Sequence, residues 1–178
     1  VERSAADEDR RRRDLGGVAR DDGAQLLRQL LRLRRRRLLG RGAHRSDENK
    51  ARDQFRHPKE TLGFFGLAPG QTVIEITPGG GWYTEILAPV LKDNGSYVAA
   101  TINPNGDISE GAKAYYTKSN QAFRDKLAAN ADLYGGAQVV EFDLKTPVLG
   151  ADGSADLVVT FRNVHNWVGA DAQQAMFE

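Results

Sequence analysis

The chain has 178 residues with 25 basic and 24 acidic side chains, a length that suits one domain with a sizeable core. Its net charge of +1 points to no particular partner, and the absence of cysteine excludes disulfides, thiolate metal sites and a cysteine nucleophile while leaving the compartment open. No apolar run approaches the roughly 18 residues that would span a membrane.

The near-neutral total hides two unlike segments. Residues 1–45 hold 14 Arg, no Lys and 7 acids, a net of +7, whereas residues 46–178 hold 7 Lys, 4 Arg and 17 acids, a net of −6. Residues 1–23 combine high charge with few large apolar side chains, which predicts disorder, because too little surface can be buried to offset ordering entropy. Residues 24–39 carry a helical pattern, with Leu26, Leu27, Leu30, Leu31 and Leu38 on one face and Arg28, Arg32 and Arg35 elsewhere. Such a basic amphipathic helix suits an anionic membrane or nucleic acid. A secretory signal is a poor match, since Arg32 to Arg37 interrupt any apolar core. The composition break equally fits a segment that is not native to the domain. The expected division is therefore an Arg-rich segment over 1–45 and a folded domain over 46–178.

From Ser46 the pattern becomes regular. Ser46 is an N-cap candidate, and Asp47 and Glu48 favour the positive end of a helix that should run to about Arg56. A second short helix should start at Pro58 and stop at Gly66, with Leu62 and Phe65 packed inward. Thr72 to Thr77 is a β-branched run that reads as a buried strand. Residues 82–92 predict a helix that Pro89 should kink or shorten. A turn at Asn94-Gly95 leads into a second strand, Ser96 to Ile102. Helical text over 107–133, in one or two pieces, separates it from a third strand, Ala137 to Phe142. A fourth strand, Ala155 to Phe161, is followed by the start of another helix in 170–178. Strands alternating with helices imply parallel, right-handed crossovers and a sheet covered on both faces. The fold class is α/β, a Rossmann-like parallel sheet with flanking helices.

The informative turn follows the first strand: Glu75-Ile76-Thr77-Pro78-Gly79-Gly80-Gly81-Trp82-Tyr83-Thr84. Three consecutive glycines between a strand and a helix leave backbone exposed, so a ligand can approach closely at the carboxyl ends of the strands. A dinucleotide fingerprint would need glycine at Thr84, and a phosphate-binding P-loop would need a Gly-Lys pair that the chain lacks. Glu75 fits neither phosphate motif, because a carboxylate there repels phosphate but can accept hydrogen bonds or attract a cation.

Residues 46–178 resemble the first part of a class I S-adenosylmethionine-dependent methyltransferase. Glu75 matches that family's acid at the end of strand one, and Gly79-Gly80-Gly81 the later part of its glycine loop. The likeness extends to predicted bacterial methyltransferases through Arg56-His57-Pro58, Phe64-Phe65-Gly66, Pro78 to Pro89, and Phe161 to Trp167. It implies S-adenosylmethionine as cofactor and methyl transfer to an unidentified acceptor. The residues it implies for cofactor binding are Glu75, Thr77, Pro78, Gly79, Gly80, Gly81, Asn103, Asp143 and Arg162. Asn163 and His165, after strand four, fall where this fold places groups near the transferred methyl; of that cluster only the histidine is a side-chain type suited to proton transfer near neutral pH. A structural role within its own loop is the plainer expectation for His165.

The resemblance also marks departures. The first loop glycine is Thr77 here, and a β-branched residue resists positive φ. The carboxylate usual at the end of strand two is absent from Ala100-Thr101-Ile102-Asn103, leaving Asn103 or Thr101 as weaker, neutral acceptors. Asp143 matches a position that often binds the adenine amino group, or it simply turns the chain. Trp82 and Tyr83 are expected to pack at the helix start rather than stack on a cofactor. The family builds seven strands, so the resemblance implies an incomplete copy truncated after the fourth. Two other readings stay open: an inactive cofactor-binding fragment, or anion or nucleic-acid binding through the Arg-rich arm. No metal is implied, and nucleic acid is not the expected partner.

Overall fold

The computed structural model describes residues 44–178, so the expectations for residues 1–23 and 24–39 lie outside the described residues. The Ser46 side chain caps helix α1 (Asp47–Ala51) by accepting from the Asn49 N–H at 3.2 Å. The single helix expected to reach Arg56 is split. At Arg52 the N–H bonds tightly back to Asn49 O, and α2 (Asp53–Arg56) begins afresh. His57, at φ +42°, ends α2, because the residue before a proline disfavours the helical region, and Pro58 then opens α3 (Pro58–Phe64). Gly66, at φ +75°, closes α3, with the Leu67 N–H reaching Leu62 O. Leu62 is buried as expected, but Phe65 is 41% exposed. The helix stops at Phe64, so Phe65 leaves the face it was expected to share with Leu62.

The four strands follow as β1 (Thr72–Ile76), β2 (Ser96–Ile102), β3 (Ala137–Phe142) and β4 (Leu157–Thr160). They form one all-parallel sheet in the order β3-β2-β1-β4, with Ile76 opposite both Ala100 and Thr160. The helix α4 (Thr84–Leu91) joins β1 to β2, and α5 (Glu110–Ala128) with α6 (Ala131–Tyr134) joins β2 to β3. The connection from β3 to β4 holds only the bridge Asp143–Thr146, not a helix. β4 is also shorter than expected. Its start is fixed by Asp156, whose carboxylate accepts the Thr72 N–H at 2.7 Å and whose own N–H donates to Thr72 O. After β4 the chain forms α7 (Val164–Gly169), where a loop was expected, and then α8 (Gln173–Phe177).

Strand alternation sends Ile74, Ile76, Val98, Ala100 and Ile102 to one face, where they meet Phe142 and Trp167. Val73, Glu75, Tyr97 and Ala99 go to the other. The α4 residues from Thr84 to Pro89, with Leu91, are all buried, which marks a helix enclosed by protein rather than lying on its surface. The helix runs through Pro89 to Leu91, within the 82–92 span expected. The missing Pro89 N–H would have met Glu85 O, and that carbonyl accepts from His44 Nε2 at 3.0 Å instead. Arg45 is likewise buried, bonded to Asp53 and Glu85, so the folded unit reaches across the expected boundary at Ser46. Among the described residues no helix is long and apolar enough to cross a membrane.

Candidate functional site

The turn leaving β1 holds three residues at positive φ within five positions. Thr77 takes φ +52°, Gly79 +58° and Gly81 +75°. Thr77 thus adopts the positive φ that a β-branched residue resists, at a cost of about 1–2 kcal/mol. Surrounding bonds over-determine it. Its N–H still joins the sheet, donating to Ala100 O at 2.7 Å. The buried Asn163 amide donates to Thr160 Oγ1 at 2.9 Å, Ile76 O at 3.3 Å and Thr77 O at 3.4 Å, tying the exits of β1 and β4 together. The Thr77 hydroxyl is buried and has no hydrogen-bond partner among the described residues.

Each glycine in the turn has a different duty. A Cβ at Gly81 would stand 3.1 Å from the Phe123 ring and 3.3 Å from Thr84, so this glycine serves packing. A Cβ at Gly80 would meet nothing within 4 Å, and Gly80 lines a cavity. Lys126 fixes the turn from behind, donating from Nζ to Gly80 O at 2.7 Å and to Glu85 Oε1 at 2.7 Å. Gly81→Ala is accordingly expected to lower folding stability by about 1–3 kcal/mol in urea denaturation; an unchanged midpoint would mean the turn relaxes freely.

Two cavities meet at this turn. The smaller, about 340 Å³, gathers Glu75, Thr77, Pro78, Gly79 and Gly80 from the β1 exit and Arg162, Asn163 and His165 from the β4 exit. The larger, about 390 Å³, is lined by Ile102, Asp107, Ile108, Leu144 and Trp167. Thr77 and Asn163 line both. The structure thus brings most of the sequence-derived site residues into one place. Asn103 and Asp143 line neither cavity; the Asn103 amide donates to Asp143 Oδ1 at 3.0 Å on the neighbouring rim. His165 sits exposed on α7 rather than in a loop.

Glu75 is fully buried. Tyr97 OH donates to its Oε2 at 2.6 Å and Thr84 Oγ1 at 2.9 Å. Burial pushes its carboxyl up to about 7, against the two hydroxyl bonds and Lys126, which pull it down. Trp82 and Tyr83 pack at the helix start as expected, Tyr83 stacked on Phe161 at 3.5 Å between centroids.

Sequence reasoning missed three contributors. Asp107 puts a carboxylate on the wall of the larger cavity, five residues past the strand end where an acid was sought. Arg52, at the break between α1 and α2, and Arg56, at the end of α2, reach the smaller cavity. Their four-residue spacing put them on one helix face, and that was the available signal. Among the described residues no group of three or more His, Asp or Glu is placed to hold a metal.

No protein-family model and no curated protein matches the chain. A solved S-adenosylmethionine-dependent methyltransferase from Aquifex aeolicus superimposes with a TM-score of 0.50 at 17% identity, over 70% of this chain and 61% of that one. This chain has that fold. A protein-L-isoaspartate O-methyltransferase gives a TM-score of 0.45 at 16% identity, over 60% of this chain and 29% of its own. The chain spans about three fifths of the length of the Aquifex protein.

Proposed function

We propose that this protein binds S-adenosylmethionine along the carboxyl edge of its sheet and directs methyl transfer to an acceptor in the adjoining cavity. The observation that carries this reading is the strained Thr77–Gly81 turn standing between two cavities, at the point where the strand order reverses from β2-β1 to β4. Open space at Gly80 and the orphaned Thr77 hydroxyl fit a ligand that takes bonds from this turn. Ile102, Ile108, Leu144 and Trp167 offer apolar walls suited to an adenine ring, and Asp107 a carboxylate suited to ribose hydroxyls. Asn103 and Asp143 support that rim. The bound cofactor would supply an electrophilic methyl group on a sulfonium. This chain's own work is to hold the turn, align the two cavities and exclude water. Asn163 keeps β1 and β4 in register and is a positioning residue.

Titration with labelled S-adenosylmethionine tests the reading. Gly80→Val places a branched side chain in open space inside the cavity, so the fold should survive while affinity falls at least tenfold. No saturable binding by the wild-type chain would overturn the reading. So would unchanged affinity in a folded Gly80→Val variant.

A further inference from the structure

We propose that the 340 Å³ cavity, whose Gly79–Gly80 wall the cofactor approaches, also takes the acceptor, and that the acceptor is a small anion, its carboxylate or phosphate held among Arg52, Arg56 and Arg162. The assignment rests on the cofactor reading above and names the class of the second substrate. Residues 46–178 contain four arginines, and three of them line this one cavity. The fourth, Arg124, is ion-paired with Glu141, and Arg45 with Asp53 and Glu85. Among the described residues, no carboxylate forms an ion pair with the three cavity guanidinium groups. Glu75, the acid of the cavity, has its Oε2 engaged by Tyr97 and Thr84.

The Arg56 guanidinium is also held in place. Arg56 lies over the Trp82 ring at 4.6 Å and within 5.9 Å of Tyr83. Those rings are fixed in turn, Trp82 by donating from Nε1 to Asn49 O at 2.9 Å and Tyr83 by its stack on Phe161. Arg162 stands at φ +64° between Phe161 and the anchored Asn163, a strained conformation that the β4 exit sustains. Burial first, then the charges of Arg52 and Arg162, push the Arg56 pKa down.

Charge counting separates acceptor from cofactor. S-adenosylmethionine carries a sulfonium, an ammonium and one carboxylate, a net positive charge. Its own carboxylate can engage one guanidinium, and the loaded cavity stays cationic. A neutral or cationic acceptor would then enter without attraction or against repulsion. An oxyanion would enter with attraction and meet the forked donors that arginine presents to carboxylate and phosphate. The concave shape and small volume suit a small molecule rather than a polymer backbone.

The test is calorimetric titration of the full chain with inorganic phosphate and, separately, with succinate. Each is run on free protein and on protein saturated with S-adenosylhomocysteine, which lacks the transferable methyl. One of the anions should bind the loaded protein saturably and more weakly as salt is raised, phosphate marking a phosphorylated acceptor and succinate a carboxylate. Arg52→Gln and Arg56→Gln should each weaken that binding at least tenfold, with partial recovery in Arg52→Lys. The affinity for S-adenosylhomocysteine should stay within twofold in all of them. Absence of binding by both anions would overturn the proposal. So would an equal loss of S-adenosylhomocysteine affinity in the arginine variants, which would put these groups on the cofactor's own carboxylate. Anion binding without any S-adenosylhomocysteine binding would overturn the acceptor assignment and the cofactor reading together while leaving an anion site.

Discussion

Replacing Glu85 with Ala is expected to cost about 3–5 kcal/mol of folding stability, because it strips the counter-charge from a buried network. The Glu85 side chain is 3% exposed, and every group around its carboxylate is a donor. Lys126 Nζ and Asn49 Nδ2 reach Oε1 at 2.7 and 2.8 Å, and Arg45 Nε reaches Oε2 at 3.3 Å. Arg45 continues to Asp53 through two bonds of 2.7 and 2.8 Å, so two cations and two anions form one chain of charge. Removing Glu85 leaves Arg45 with half its partners and Lys126 with carbonyls alone. Glu85→Gln should give little rescue, since its amide would turn a donor toward a donor on one side. Lys126 also holds the Gly80 carbonyl, so the loss should loosen the turn after β1 as well as the fold. Chemical denaturation of Glu85→Ala and Glu85→Gln checks this; a loss below about 1 kcal/mol in both would show that the network is not coupled to folding.

Much of this architecture was legible because its signals are local. β2 and β3 occupy the residues read from their β-branched runs and the Asn94-Gly95 turn, and Ser46 and Gly66 act as the cap and stop that their types suggest. The elements misread are those whose cause is distant in sequence. Nothing near Pro89 announces that α4 will continue through it; the rescue comes from His44, 41 positions from Glu85. The helix α7 lacks a side-chain cap, because the Asn163 amide at its start is bonded to β1 and β4 instead. Thr77 is a poor residue for positive φ by local preference, but bonds from Ala100 and Asn163 override that preference. The glycine turn and Glu75 were visible as a site. The arginine wall was not, since Arg52 and Arg56 come to line one cavity with Arg162 only once the fold brings the start of α2 to the β4 exit.

The wild-type protein is expected to lose stability between about pH 4.5 and pH 7 by an amount that Glu75→Gln does not, on the order of 3 kcal/mol. Three oxygens form a closed triangle: Glu75 Oε2 to Tyr97 OH at 2.6 Å, Glu75 Oε2 to Thr84 Oγ1 at 2.9 Å, and Thr84 Oγ1 to Tyr97 OH at 2.8 Å. Three such contacts need three protons. When the carboxyl is protonated it donates to one hydroxyl, and that hydroxyl is freed to donate to the other, so the three protons run round the triangle. Ionising Glu75 puts a charge in a fully buried position, and that burial holds its pKa near 7 even though the two hydroxyls and Lys126 favour the charge. Tyr97 cannot yield the proton instead, because burial and the neighbouring Glu75 push its own pKa well above the usual value. The sign follows from where the proton sits. The unfolded carboxyl ionises near 4.5 while the folded one keeps its proton to about 7, so between those values the folded state binds more protons and stability falls as pH rises. Above pH 7 both states are ionised and the penalty is constant. The amide of the Glu75→Gln variant keeps an acceptor for the hydroxyls and never ionises, so this variant should gain on the wild type steadily across the window and hold the gain above it. Urea denaturation of both proteins from pH 5 to pH 8 gives the difference directly, with all other titrating groups cancelling. Parallel stability curves would show that Glu75 is ionised throughout and that the third contact of the triangle carries no proton.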